Sequence, residues 1–391
     1  MLAATVRVTR DIDLAEECVQ DAYSQALRTW ADTGIPAKPG GWLTTVARRK
    51  ALDLVRREST LRRALPLLLE EDVDPGISSD DEILDDRLRL IFTCCHPALA
   101  QESRIALTLR LLCGLSTEDV AHAFLVPVPT MAARITRAKK KISAARIPYR
   151  VPPASELPER IASVLDVIHL LFTTGHTAPS GDNLIRRDLV ERALDLSRML
   201  RILLPTDTDV IGLLALILLT DARRETRTDA DGRMLLLEEQ DRTRWDRRAI
   251  SEGIPLVHEA LASRPPGRFA LQAAIAAIHA ESPTWEQTDW REIVGLYDVL
   301  CQIWPSPVVA LNRAVALGMA EGPLAGLAAL GELATEPQLA TYSYLPAARA
   351  DFLRRLGRKD EARLAYEEAL LLTDNAVEQS FLAERLQSVL S

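Results

Sequence analysis

Apolar residues in this chain recur at helical spacing, and no Val/Ile/Thr-rich stretch alternates with polar residues as a strand would. Over 13–31, Leu14, Cys18, Ala22, Gln25 and Ala26 run along one side and Trp30 follows, while Glu16, Glu17 and Asp21 leave another face acidic. After the break at Gly34–Gly41, a second helix is predicted from Trp42 to about Arg57. Trp42, Leu43, Val46, Ala47, Ala51, Leu54 and Val55 supply its buried side. Glycine is sparse, at 17 of 391 residues, and Ala, Leu and Arg abound. The expected fold class is all-α. At roughly 100–200 residues per domain the length implies two to four domains. The longest apolar run, Val210–Leu219, is ten residues. A membrane helix needs about 20, so this reads as a buried core helix and no membrane partner is expected. The start lacks the apolar centre of a signal peptide, and five cysteines in so long a chain make no disulfide framework. The expected location is cytoplasmic.

The formal charge of −8 is unevenly spread. Residues 1–150 carry 22 Lys/Arg and 20 Asp/Glu, a net +2, and residues 151–391 carry 25 and 35, a net −10. Nine acids and no base lie between Glu70 and Asp86. Leu43–Arg63 holds Arg48, Arg49, Lys50, Arg56, Arg57, Arg62 and Arg63 against only Asp53 and Glu58. Met131–Arg150 holds seven bases and no acid. Two basic blocks joined by an acidic tether point to two contacts on one nucleic acid, with solvated helix faces as the alternative.

The second block sits in a specific pattern. Ser116 and Asp119 have capping-box order, and Val120, Ala121 and Phe124 form a short apolar stripe. Leu125-Val126-Pro127 has the length of a turn, and a longer basic helix is predicted from about Pro129 to Ala145. That is the helix-turn-helix pattern. Thr130, Arg134, Arg137 and Lys141 share one face of the second helix, with Ile135, Ala138 and Ile142 opposite. Arg, Lys and Thr are the side chains that reach base edges and phosphates in a major groove.

Prolines 148, 152, 153 and 158 mark a boundary. Helices are predicted beyond it over 159–174, 183–203, 208–225, 247–263, 267–280, 289–304, 307–320, 324–334, 340–356, 360–372 and 376–390. Ala350, Leu353, Gly357, Ala362, Tyr366 and Ala369 fall at positions 8, 11, 15, 20, 24 and 27 of a 34-residue tetratricopeptide unit, and Val308–Ala334 is a looser copy. Such units stack into a concave surface, so a protein or peptide partner on the repeats is a candidate.

With these residues in hand, the first 150 resemble bacterial extracytoplasmic-function sigma factors, the small specificity subunits of RNA polymerase. Asp13–Tyr23 resembles their polymerase-docking helix, Trp42–Asp53 the helix that meets the −10 element, and Gly114–Phe124 with Thr130–Ile142 the −35-reading helix-turn-helix. Phe92–Leu99, Leu236–Trp245, Gln272–His279 and Leu311–Ala316 resemble the subgroup with a long tetratricopeptide-like extension. The resemblance implies sigma domain 2 over 1–63, short at its N-terminus, and an acidic linker over 64–86. Sigma domain 4 follows over 87–148, then a helical extension over 149–280 and helical repeats over 281–391. It also implies core RNA polymerase and promoter DNA as partners. The expected polymerase-facing residues are Glu16, Glu17, Gln20 and Asp21. Arg48, Arg49, Lys50, Arg56 and Arg57 are expected at the −10 element, and Thr130, Arg134, Arg137, Lys140 and Lys141 at the −35 element. In the family the acidic linker threads polymerase channels built for nucleic acid. Opening a promoter needs basic and stacking groups rather than covalent chemistry.

Other motifs carry less. Adjacent Cys94 and Cys95 with His96 do not suit one tetrahedral metal ion, and buried small hydrophobes account for them better. His169 and His176 lack a nucleophile nearby in sequence and read as structural, and Asp231–Arg248 reads as a salt-bridged loop around Trp245. No phosphate-binding or HExxH motif is present, so neither a catalytic role nor a cofactor is expected. The competing reading is a helix-turn-helix activator with a ligand- or peptide-binding helical domain. It leaves the first basic block and its acidic docking helix without a purpose.

Overall fold

The computed structural model describes residues 1–62, 80–124, 126–153 and 155–390, so most of the expected acidic linker and Leu125 of the expected turn lie outside the described residues. The chain is all-α and forms two compact units, Met1–Val167 and Ile168–Ser391.

The first unit opens with α1 (Leu2–Thr9), a short helix that the periodicity reading passed over. It stops where Arg10 turns left-handed at φ 56°. α2 (Ile12–Thr33) starts under an Asp11 cap, whose carboxylate accepts from the Leu14 N–H at 2.9 Å, and ends at Gly34, φ 78°. Val19, Ala22 and Ala26 of α2 pack on Leu43 and Ala47 of α3 (Pro39–Arg62). Trp30 and Trp42 close this core with ring centroids 5.4 Å apart. The side of α2 identified from sequence is therefore the buried one.

α4 (Asp80–Cys94) begins well before Arg87, where sigma domain 4 is expected to start. α5 (Gln101–Leu107) runs into a π-helical turn, Thr108–Leu112. α6 (Thr117–Ala123) carries the expected capping box: the Asp119 N–H donates to Ser116 Oγ at 3.0 Å, and the Ser116 N–H donates to Asp119 Oδ2 at 3.1 Å. α7 (Val128–Ala144) buries Met131, Ile135, Ala138 and Ile142, as its spacing requires. The first half of α8 (Leu157–His176) belongs to this unit. Its buried Arg160 donates to the Phe92 carbonyl and lies 5.8 Å from the Phe92 ring, while Arg104 donates to Ser163 Oγ at 2.7 Å.

The second unit stacks antiparallel helices: α9 (Arg187–Leu203), α10 (Thr208–Asp221), α11 (Arg247–Ala260), α12 (Arg268–Glu281), α13 (Trp290–Ile303), α14 (Pro307–Glu321), α15 (Pro323–Glu332), α16 (Tyr344–Arg355), α17 (Lys359–Leu371) and α18 (Ala376–Leu390). Most expected helices lie within a few residues of these. The exception over 208–225 is the stop at Asp221, followed by a 3-10 turn at Arg224–Thr226. α10 is the expected core helix, with every residue from Val210 to Leu219 buried. It packs so closely on α12 that a Cβ at Gly212 would stand 2.7 Å from the Ala270 nitrogen. Ala350, Leu353, Ala362, Tyr366 and Ala369, the residues of the repeat pattern, form one buried cluster with Leu382 and Val389 of α18. Ser180–Gly181 pairs in parallel with Asp374–Asn375. The segment 231–248 is the salt-bridged loop expected: Glu239 meets Arg385 at 3.0 Å, and buried Trp245 donates to Thr226 Oγ1 at 2.9 Å.

Candidate nucleic-acid and polymerase interface

α7 presents Thr130, Arg137, Lys140 and Lys141 to solvent, opposite its buried residues. Arg134 is half-buried, its guanidinium 5.6 Å from the Phe124 ring, so α6 helps to aim it. This is the geometry a groove-reading helix needs: one side anchored in apolar contacts, the other a row of cations.

On α3, Arg49 and Arg56 are exposed on one side with Asp53 between them. Arg48 is half-buried, and Lys50 is drawn to Asp21 of α2 at 2.8 Å. Arg57 falls in α3, but its side chain lies outside the described residues. On α2, Glu17, Gln20 and Asp21 are exposed.

Glu16 is placed differently. It is half-buried against the helix-turn-helix, with Arg110 at 3.3 Å, and it pairs with Lys139 of α7. Asp13 joins Lys139 at 2.8 Å. Burial works against the Lys139 ammonium, but the hydrogen bonds and charges of Asp13 and Glu16 outweigh it and hold its pKa above the ordinary lysine value. A second tie joins the same halves. Asp86, almost fully buried, takes Arg7 at 3.6 Å and Arg89 at 3.4 Å, and the Tyr149 hydroxyl lies 2.7 Å from the Ala3 carbonyl and 3.0 Å from that of Asp86. Burial, with the charge of Asp86, pushes the Tyr149 phenol far up.

The pairings of Asp13, Arg110, Lys139, Asp86 and Tyr149 are not legible in the sequence. Their partners lie many tens of residues away, and no local spacing signals such pairs. Cys94 and Cys95 are buried, and burial raises both thiols, Cys95 to about 11, which leaves them inert. Among the described residues no three His, Cys, Asp or Glu side chains are grouped to hold a metal ion, and no helix is long and apolar enough to cross a membrane.

Residues 2–60 match the sigma-70 region 2 family, and residues 89–142 match sigma-70 region 4. Residues 160–261 match a family of unknown function, DUF6596. An uncharacterised protein of Rhizobium meliloti is 42% identical over 98% of this chain and 92% of its own length. The probable ECF RNA polymerase sigma factor SigI of Mycobacterium tuberculosis is 33% identical over 38% of this chain, which spans about half of SigI, 52%. The ECF RNA polymerase sigma factor SigK of Mycobacterium sp. (strain KMS) is 31% identical over 33% of this chain and 68% of its own length. Both matches to sigma regions fall in the first unit, region 2 on α1–α3 and region 4 on α4–α7, in the order that the two basic blocks require. The chain belongs to the extracytoplasmic-function RNA polymerase sigma factors of the sigma-70 family.

Proposed function

We propose that this protein binds core RNA polymerase in the cytoplasm and directs initiation at promoters, with sigma domain 2 over 1–63 and sigma domain 4 over 87–148. Thr130, Arg134, Arg137, Lys140 and Lys141 read the −35 element. Arg48, Arg49, Lys50, Arg56 and Arg57 hold the opened −10 element, and Glu16, Glu17, Gln20 and Asp21 face polymerase. The observation that carries this reading is the solvent face of α7, where Thr130, Arg137, Lys140 and Lys141 are exposed with no acid among them, opposite an apolar anchor. Both sigma elements are bound at once only if α2 and α7 separate, because Glu16 and Lys139 occupy each other in the form described. That form is accordingly the resting one, and polymerase binding exchanges the Glu16–Lys139 pair for external contacts.

The extension from 149 onward regulates this exchange, with tetratricopeptide-like repeats over 281–391 that offer a surface to a protein or peptide. Support comes from the periodic Ala, Leu, Gly and Tyr positions and from their shared core. Run-off transcription with core polymerase and a promoter library tests the whole reading. Promoter-dependent transcripts are expected from the full chain, and loss of selectivity on removing the α7 cations. A chain ending after His176 should differ markedly in activity from the full chain. Equal activity removes the regulatory role.

A further inference from the structure

The compact unit that carries α7 does not end at residue 142, where the match to sigma-70 region 4 ends. Tyr149 and the first half of α8 belong to it, and from residue 160 onward these residues fall in the family of unknown function. Ile161, Val164, Leu165 and Val167 of α8 are buried, and so are two polar side chains, Arg160 at 6% exposure and Ser163 at 8%. Burying a cation and a hydroxyl among apolar residues is costly unless each has a partner. Both have one, and the partners lie on α4 and α5, the two helices that precede the helix-turn-helix.

Arg160 serves the end of α4. The Cys95 N–H goes to the Ile91 carbonyl at 2.8 Å and the His96 N–H to that of Thr93 at 3.4 Å, so the Phe92 carbonyl between them is passed over. Carbonyls in a last helical turn need an outside donor, and a cation suits them best. The Arg160 guanidinium supplies that donor and lies 5.8 Å from the Phe92 ring. Three residues on along α8, Ser163 Oγ accepts from Nη1 of Arg104 on α5 at 2.7 Å. The Arg104 carbonyl accepts from Thr108 Oγ1 at 2.9 Å, and Thr108 Oγ1 lies 3.5 Å from Sγ of Cys95, the residue after α4. The contacts close a ring through α8, α4 and α5.

α7 packs against α5, so the direction in which its exposed Arg137, Lys140 and Lys141 leave the unit follows from where α5 is held. Arg160 and Ser163 are too buried to touch DNA themselves. Base contacts tolerate little displacement, whereas phosphate contacts made by long, mobile side chains adjust to it. A loosened α5 should therefore cost base selectivity before it costs general affinity.

We propose that Arg160 and Ser163 are positioning residues for −35 reading, which makes the start of the family of unknown function a working part of the DNA-reading unit. The inference rests on the −35 reading proposed for α7.

The test is filter binding of the full chain, in complex with core RNA polymerase, to two duplexes: a promoter, and the same promoter with its −35 element scrambled. The quantity read is the ratio of the two affinities. A fraction of unfolded protein lowers both alike and leaves that ratio unchanged, so a merely structural role does not move it. Arg160→Met, which keeps the bulk and removes the donors, should lower the ratio about 3–10-fold, part of what one good base contact discriminates. Ser163→Ala, the milder change, should lower it about 2–4-fold, and it carries the test if Arg160→Met does not fold. Arg137→Ala is run beside them. The proposal is overturned if Arg137→Ala lowers the ratio and neither α8 variant does. A ratio that Arg137→Ala also leaves unchanged would remove the −35 reading of α7, and this inference with it.

Discussion

Lys139 on α7 and Glu16 on α2 are 123 residues apart in sequence and form an ion pair within the first unit. The helix proposed to read the −35 element is thus fastened to the helix proposed to dock on polymerase. Both side chains are largely removed from water, at 12% and 21% exposure, so this pair is screened less than the mostly exposed Asp13 beside it.

A double-mutant cycle with Lys139→Ala and Glu16→Gln should give a coupling of about 0.5–1.5 kcal/mol in denaturant unfolding at low salt, smaller in concentrated salt. In core-polymerase binding, Lys139→Ala should tighten association, because it releases Glu16. A cycle with no coupling would show that the pair is not formed in solution.

The exposed cations of α7 should separate by role in promoter binding. Lys140→Ala should weaken binding evenly across sequences and lower the salt slope by about one unit, if it neutralises one phosphate. Arg137→Ala should relax base preference at one position, by about 1–3 kcal/mol. Arg134→Ala should do the same and also lower stability by about 0.5–1 kcal/mol, because its cation–ring contact with Phe124 is lost. Filter binding across a salt series, with matched thermal unfolding, separates these outcomes.

Acid should weaken the second unit before its carboxylates titrate. His279 is held down at about 4 by burial and by Arg223 and Arg242, and burial, with Arg227 and Arg223, also lowers His176. As pH falls through the ordinary histidine value near 6.5, the unfolded chain takes up protons that the folded one refuses. The stability these residues contribute is therefore intact above that value and drains away toward 4. Thermal unfolding in phosphate-free buffer should show a falling midpoint between pH 7 and 5, and His279→Gln should flatten that slope. A flat wild-type profile would contradict the buried neutral state.

Gly318→Ala should destabilise the second unit by about 1–3 kcal/mol. A Cβ there would stand 2.2 Å from Cζ of Phe352, a ring that Gly326 also faces and that packs on Leu311, Ala314 and Leu330. Calorimetry of the full chain is the check. Gly331→Ala, where a Cβ meets nothing, is the control and should be neutral or slightly stabilising.

Helices were legible because their signal is local. The spacing of Ile135, Ala138 and Ile142 sets the buried side of α7, and Ser116 with Asp119 sets the start of α6. α1 escaped because eight residues give too few turns for a period to register, and its burial depends on α3 and α4. The solvent face of α7 could be read, since exposure there is the complement of a local stripe. The engagement of Glu16 could not, because Arg110 and Lys139 reach it only through tertiary folding. His176 reads as structural for want of a nucleophile nearby in sequence, and no motif marks Arg223 or Arg227. Nothing in their spacing reveals that α8, α10 and α12 end near one another.

Solenoids made of stacked hairpins ordinarily fray from their termini, since the last hairpin has a neighbour on one side only. The parallel bridge from Ser180–Gly181 to Asp374–Asn375 removes that freedom. Asn375, fully buried, donates to the carbonyls of Ala178 and Asn183 and accepts from the Val377 N–H at the start of α18. The second unit is thereby a closed loop of helices rather than an open row. Loss of α18 would be felt first at residues 178–183, almost 200 positions upstream, and amide exchange should find the two ends opening together as a single event.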